Sequence, residues 1–316
     1  MLSLEQRRPD MLPTFVGLGS QRSASTWLHS VLKAHPQITM TSRKEACYFG
    51  NEIQWHNLNW YTDLFRDPSG LPTRAIRGDI SPWYSRLRRH SVESLRRMIP
   101  DLKAVLIIRN PIARSWSQAM VELSFRKDVP ADQVPIGRIL RHVVRRRTNR
   151  YNDYQPVIEL WDDVFGAGCV HVDIFDKVKT DPNGLLRGIL KHVGADPDLP
   201  VPDEVLKEQV GSTEKAIKGV KVEMPEFMRW LLAMQWLEPT RRLNAKLDGM
   251  VDSWVKEMEE IAGKRVPGSW KLRRFAYRQL LSLPERLAYE VYEAQRELRL
   301  WRRNRVIEEQ ARNAPR

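Results

Sequence analysis

The sequence Thr14–Gln37, TFVGLGSQRSASTWLHSVLKAHPQ, decides how this chain folds. Thr14–Leu18 is rich in β-formers, follows Pro13, and reads as a short buried strand. Gly19–Ser25 is a turn of small and polar residues. Trp27, Leu28, Val31 and Leu32 then fall at helical spacing, with Ser23 or Ser25 as the N-cap. A strand, a tight polar turn and a helix aim backbone N–H groups and a positive helix end at one anion. Arg22 adds a charge, and Ser25 and Thr26 add hydroxyl donors. The stretch reads as a phosphate cradle, although taken alone it equally fits an ordinary serine-capped strand–helix turn. It is not the ATP/GTP loop, because G-x-x-x-x-G-K-[ST] cannot be laid on it.

Outward from the cradle, strands and helices alternate. Lys103–Arg109, KAVLIIR, is a continuous apolar run of the kind buried on both faces of a parallel sheet. It stops at Asn110-Pro111, and a helix resumes near Ala113. Ile38–Met40, Ala75–Ile80 and Cys169–Phe175 are further strand candidates. Helices are expected over Trp55–Phe65, Ser91–Ile99 (with Arg96 and Arg97 toward solvent), Arg138–Arg150, Tyr151–Phe165 and Leu185–Val193, the last closed by Gly194. This alternation predicts an α/β fold, a single P-loop-like domain with a central parallel sheet flanked by helices. From Glu204 onward the pattern is helical. The expected organisation is a lead over residues 1–12, the domain over 13–254, and a basic helical C-terminal extension over 255–316.

Composition narrows the classes. The chain has 316 residues, 42% of them hydrophobic, enough for a large core. Its formal charge is +13, unevenly spread: from Lys264 onward 14 Lys/Arg face 6 Asp/Glu, leaving only +5 for the preceding 263 residues. That is a basic tail on a nearly balanced domain, so no nucleic-acid partner is expected. The basic stretch Arg138, Arg141, Arg145, Arg146, Arg147, Arg150 has no interleaved aromatics and reads as a solvated face, or as an attractor of an anionic acceptor. Cys47 and Cys169 form no metal-ligand spacing and suit a reducing, cytoplasmic setting. No secretory signal and no transmembrane run is visible.

Three further constellations carry chemistry. Arg109 ends the apolar strand, where α/β folds put their ligands, and Ser117 follows about two helical turns into the next helix. Together they fit one phosphate; separately they are a surface arginine and a solvated serine. In Arg43-Lys44-Glu45-Ala46-Cys47-Tyr48-Phe49, Glu45 is a candidate general base, and Lys44 a candidate cation for charge on a leaving group. Tyr48 and Phe49 would partly desolvate Glu45 and raise its pKa. The alternative is a solvated Lys44–Glu45 pair beside buried aromatics. Asp79, in GDISPWY, either orients a basic partner or acceptor or caps the strand end.

These motifs resemble those of sulfotransferases of the heparan and bacterial carbohydrate type. The family's 5′-phosphosulfate loop reads roughly G-x-x-[KR]-[ST]-G-T-[ST]-x-L, and Gly19, Arg22, Ser23, Ser25, Thr26 and Leu28 match it. Ala24 replaces the usual glycine, a mild departure if its φ stays negative. Arg109, Asn110, Pro111, Arg114 and Ser117 match R-[ND]-P-x-x-R-x-x-S. Glu45, Tyr48 and Phe49 resemble E-x-x-[FY]-F, with Trp60, Tyr61 and Phe65 as its continuation. Gly78–Tyr84 resembles G-E-x-S-P-x-Y, with Ile80 where the animal heparan enzymes have lysine. The Tyr154–Pro182 stretch matches scaffold.

The resemblance implies a sulfotransferase using 3′-phosphoadenosine 5′-phosphosulfate (PAPS), with 3′-phosphoadenosine 5′-phosphate as the spent product and no metal. Ser20, Gln21, Arg22, Ser23, Ala24, Ser25 and Thr26 would hold the 5′-phosphosulfate, and Arg109 and Ser117 the 3′-phosphate. Glu45 would be the base, with Arg22 and Lys44 as cations. Lys215 and Lys218 lie where the family carries a loop over the nucleotide, although its K-G-R signature is absent. The acceptor would be a carbohydrate or a small molecule.

The tail adds a capping box at Ser282–Glu285 and a seam of Leu287, Val291, Ala294, Leu298 and Trp301. That seam can pack on the domain, pair with another subunit, or lie on an anionic membrane with Arg296, Arg299, Arg302, Arg303 and Arg305 outward. Self-association or peripheral contact at the inner membrane surface is therefore open. Competing functional readings are a kinase, disfavoured by the missing Walker lysine, a non-catalytic nucleotide- or glycan-binding module, and a membrane-surface adaptor.

Overall fold

The structure, a computed structural model, describes residues 11–50, 52–66, 74–208, 222–264, 294–295, 298–306 and 309. Lys215, Lys218 and the Ser282–Val291 part of the tail lie outside the described residues. The chain divides into two compact units. One comprises residues 1–109, 156–215 and 300–316, and the other 110–155 and 216–299.

The first unit is built on a five-stranded parallel sheet. Its strands are β1 (Phe15–Gly19), β2 (Ile38–Met40), β3 (Ile76–Ile80), β4 (Lys103–Ile108) and β5 (Val170–Ile174), in the order β2-β3-β1-β4-β5. Every residue of β1 is buried, as is all of β4 after Lys103, which is what their unbroken apolar sequence requires. The chain leaves β1 toward one edge and returns to build the other side from β4. The carboxyl ends of β1 and β4 therefore form the switch point at which such sheets bind ligands. Gly78 in β3 is fixed by packing: a Cβ there would sit 2.1 Å from Cζ of the fully buried Phe15 ring.

Helix α1 (Ser25–Ala34) lays Trp27, Leu28, Val31 and Leu32 onto the sheet. Ile189 and Leu190 of helix Pro182–Val193 belong to the same core, and Gly194 closes that helix at φ 82°. Between β2 and β4 come α2 (Leu58–Asp63) and α3 (Arg89–Met98). The helix expected over Trp55–Phe65 is shorter than its aromatic pattern suggests. Asn57 caps it, accepting from the Trp60 N–H, and Trp55 remains outside with 74% of its surface exposed. Arg96 is half-buried rather than fully solvated, its guanidinium 5.8 Å from the Phe165 ring centre.

The second unit is helical. Helix α4 (Pro111–Leu123) and the helices Ile136–Val144, Glu226–Lys246 and Asp252–Gly263 share a core that includes Ile112, Met120, Val143, Leu232, Trp236 and Met258. The last of these helices runs across position 254, with Trp254, Val255 and Ile261 also buried. Arg138, Arg141 and Arg145 lie on the exposed side of their stretch. Among the described residues no helix is long and apolar enough to cross a membrane.

Candidate active site

The cradle is assembled from β1, α1 and the end of β4. Gly19 leaves the strand at φ +105°, with the Pro82 backbone 2.8 Å from where a Cβ would stand. The Ser20 N–H then donates to Ile107 O (3.1 Å), and Ser23 N–H donates back to Ser20 O (3.2 Å). The loop is thus a closed turn pinned to β4. Arg109 fixes it from the other side: its Nη1 donates to Arg22 O at 3.0 Å, and its guanidinium lies 4.2 Å from the Phe175 ring centre. A guanidinium held on an aromatic face and a backbone carbonyl is oriented before any ligand arrives.

Two expectations about the loop are corrected. Neither Ser23 nor Ser25 caps α1. The N-cap is Ala24, at φ 62° and ψ 24°, with no side-chain cap bond. The alanine therefore does not keep a negative φ. It occupies the left-handed region, which costs a residue bearing a Cβ about 1–2 kcal/mol and explains why glycine suits this position. The result is an α1 start that no side chain caps, the arrangement that receives anions. Ser23 is wholly buried and its Oγ has no hydrogen-bond partner. Buried hydroxyls are ordinarily satisfied, so this one fits a site that an anionic ligand completes.

Most of the R-N-P-x-x-R-x-x-S motif is structural. Asn110 Oδ1 accepts from Ile112 N–H (2.9 Å) and caps α4, while its Nδ2 donates to Glu257 (2.7 Å). Pro111 fills the first helical position, where its missing N–H costs nothing. Arg114 is fully buried. It donates to Asn152 Oδ1, to Gln118 Oε1 (2.6 Å) and to Thr148 O (3.0 Å), which makes it a brace within the second unit. Ser117 is half-buried on α4.

The segment after β2 carries Glu45. Lys44 Nζ donates to Glu45 Oε1 at 3.0 Å, and the two side chains are 35% and 42% exposed. Tyr48 and Phe49, expected from their proximity in sequence to cover this carboxylate, leave its side chain 42% exposed. They are buried in an aromatic cluster instead, Tyr48 stacked on Tyr61 at 4.4 Å and Phe49 edge-on to the same ring at 5.1 Å. The solvated pair is what forms. Glu45 (φ 56°) and Cys47 (φ 52°) are both left-handed, so the backbone here is held by its surroundings.

Asp79 does the holding, and sequence reasoning only half saw it. It is completely buried at the end of β3. Its Oδ2 accepts from Tyr61 (3.0 Å) and Tyr84 (2.5 Å), and its Oδ1 from Ser81 (2.7 Å). Ser81 Oγ in turn accepts from the Cys47 N–H at 2.9 Å, two residues after Glu45. Burial pushes the Asp79 carboxyl up, the three hydroxyl donors oppose this, and Glu45 adds to the rise. Burial, then the Asp79 and Glu45 carboxylates, push the Cys47 thiol to about 12, so it is no nucleophile. The clue in the sequence was D-x-S-P-x-Y itself, with two of the carboxyl's three hydroxyl partners written at fixed offsets.

The chain is 30% identical over 116 residues to the membrane-associated sulfotransferase kil1 of Dictyostelium discoideum, covering 37% of this chain and 24% of that protein. It is 25% identical over 211 residues to the human bifunctional heparan sulfate N-deacetylase/N-sulfotransferase 3, covering 61% of this chain and 23% of that protein. The matched part therefore spans about a quarter of these relatives. A crystal structure of a sulfotransferase from Alicyclobacillus acidocaldarius superposes with a TM-score of 0.58 at 21% identity, over 77% of this chain and 98% of that one. No protein-family model matches the chain. The chain is thus similar in sequence to sulfotransferases and shares the fold of one.

Proposed function

We propose that this chain transfers the sulfuryl group of PAPS to a hydroxyl or amine of a carbohydrate-type acceptor. The observation that carries the reading is the cradle: an uncapped α1, a buried Ser23 hydroxyl without a partner, and a guanidinium fixed to the loop's own backbone. The heparan sulfate relatives support the carbohydrate class of acceptor.

The residues present fit this cofactor. Ser20–Thr26, with Arg22, would hold its 5′-phosphosulfate. Arg109 and Ser117, carried over from the matched motif, would hold its 3′-phosphate. When bound, PAPS supplies an activated sulfuryl group that passes in line to the acceptor and leaves 3′-phosphoadenosine 5′-phosphate. Glu45 takes the proton from the acceptor oxygen or nitrogen as the new bond to sulfur forms. Lys44, whose Nζ donates to Oε1 at 3.0 Å, holds the Glu45 side chain in place. Arg22 and the positive end of α1 offset the charge left on the phosphate oxygen. Asp79, through Ser81 and the Cys47 N–H, positions the Glu45 backbone.

Calorimetric titration with 3′-phosphoadenosine 5′-phosphate tests the reading. The wild type should bind, and Arg109→Ala should weaken binding at least ~10-fold, since charge-assisted bonds to phosphate are worth about 1.5–3 kcal/mol each. A wild type that gives no heat of binding would refute it.

A further inference from the structure

Residues 298–306, LRLWRRNRV, form a helix with two unlike faces. One is attached to the first unit. Leu300 and Asn304 are buried, and Arg303 Nε donates to Ile53 O at 3.0 Å. This corrects the expected seam, because Arg303 points inward while Leu298 and Trp301 do not. The other face carries Leu298, Trp301 and Val306, which are 50%, 42% and 42% exposed, with the exposed Arg299, Arg302 and Arg305 among them. Arg305 lies over the Trp301 ring at 4.9 Å. No acidic residue occurs between Leu298 and Val306.

Large apolar side chains interleaved with arginines on one helix face match a bilayer interface. There an indole and aliphatic groups sit at headgroup depth while guanidinium groups meet lipid phosphates. A second copy of the chain is a poorer occupant, since a two-fold contact through this face would set arginine against arginine. Ile53 belongs to the 3-10 turn Glu52–Gln54, whose first N–H groups donate to Cys47 O and Tyr48 O, directly after Glu45. We propose that the exposed face of helix 298–306 docks on an anionic membrane surface. The opposite face of the helix is tied through Arg303 to Ile53, in the turn that follows the segment bearing Glu45.

The test is co-sedimentation of the full chain with sucrose-loaded vesicles of phosphatidylcholine and phosphatidylglycerol mixed two to one, against phosphatidylcholine alone. The wild type should pellet with the anionic vesicles only and be released by added salt. Arg299→Gln with Arg302→Gln and Arg305→Gln should weaken partitioning on the order of 100-fold, from the usual contribution of a basic residue at such a surface. Circular dichroism should show an unchanged fold, because all three side chains are exposed. Three results would overturn the proposal: no pelleting of the wild type, equal pelleting with both vesicles, or unchanged partitioning of the triple variant. Light scattering that shows a wild-type dimer made monomeric by these substitutions, without lipid binding, would assign the face to a second copy instead and equally overturn it.

Discussion

Ser23→Ala should move stability and nucleotide affinity in opposite directions. The Ser23 hydroxyl is wholly buried and has no hydrogen-bond partner, while its backbone N–H is satisfied by Ser20 O. Removing the oxygen therefore leaves the turn intact and removes a desolvation cost of about 1–3 kcal/mol. For a domain of this size each kcal/mol corresponds to roughly 2–4 °C in Tm, so ligand-free Ser23→Ala should melt about 2–12 °C above wild type. A bond from this hydroxyl to a charged oxygen is worth about 1.5–3 kcal/mol, so the variant should bind 3′-phosphoadenosine 5′-phosphosulfate or its product ~10- to 150-fold more weakly. Thermal melts with and without the product nucleotide read both effects from one sample. A variant that melts no higher than wild type, or that keeps the full nucleotide-induced shift, would refute the argument.

Glu45→Gln should lower kcat by about 10²–10⁴-fold while leaving product-nucleotide affinity unchanged, as measured by sulfuryl transfer and calorimetry. Asp79→Ala strips the acceptor from three buried hydroxyls; after the relief of a buried charge the net loss should be roughly 2–4 kcal/mol, seen as a lower denaturation midpoint. His29 is buried on α1, and burial, then Lys44 and Lys33, push it from 6.5 down to about 4. Its folded pKa lies below its unfolded one, so its neutral form contributes stability that is complete above about pH 6.5 and is lost as pH falls toward 4. His29→Leu should flatten the dependence of Tm on pH across that window.

Much of the fold was legible because its signals are local. The apolar run of β4, the strand–turn–helix at Thr14–Gln37 and the Gly194 stop each depend on near neighbours along the chain. The Gly19–Ser25 turn was legible for the same reason, since it is a short loop between two elements. The helix over Trp55–Phe65 was overextended because an aromatic pattern does not reveal where the Asn57 cap interrupts it. Arg303 was placed outward because heptad spacing identifies a stripe without showing which side finds a partner. Arg303 finds Ile53, 250 residues away in sequence.

The sequence by itself determined the parallel α/β architecture and the strand–turn–helix at Thr14–Gln37, because periodicity and turn chemistry act over a few residues. Only the tertiary structure decided the use of each side chain. Arg114 became a buried brace, Ala24 a left-handed cap, Glu45 a solvated partner of Lys44, and Asp79 the hub that ties Tyr61, Tyr84, Ser81 and Cys47 together. Burial and hydrogen bonding depend on what distant segments bring to a point in space, and no spacing along the chain encodes that.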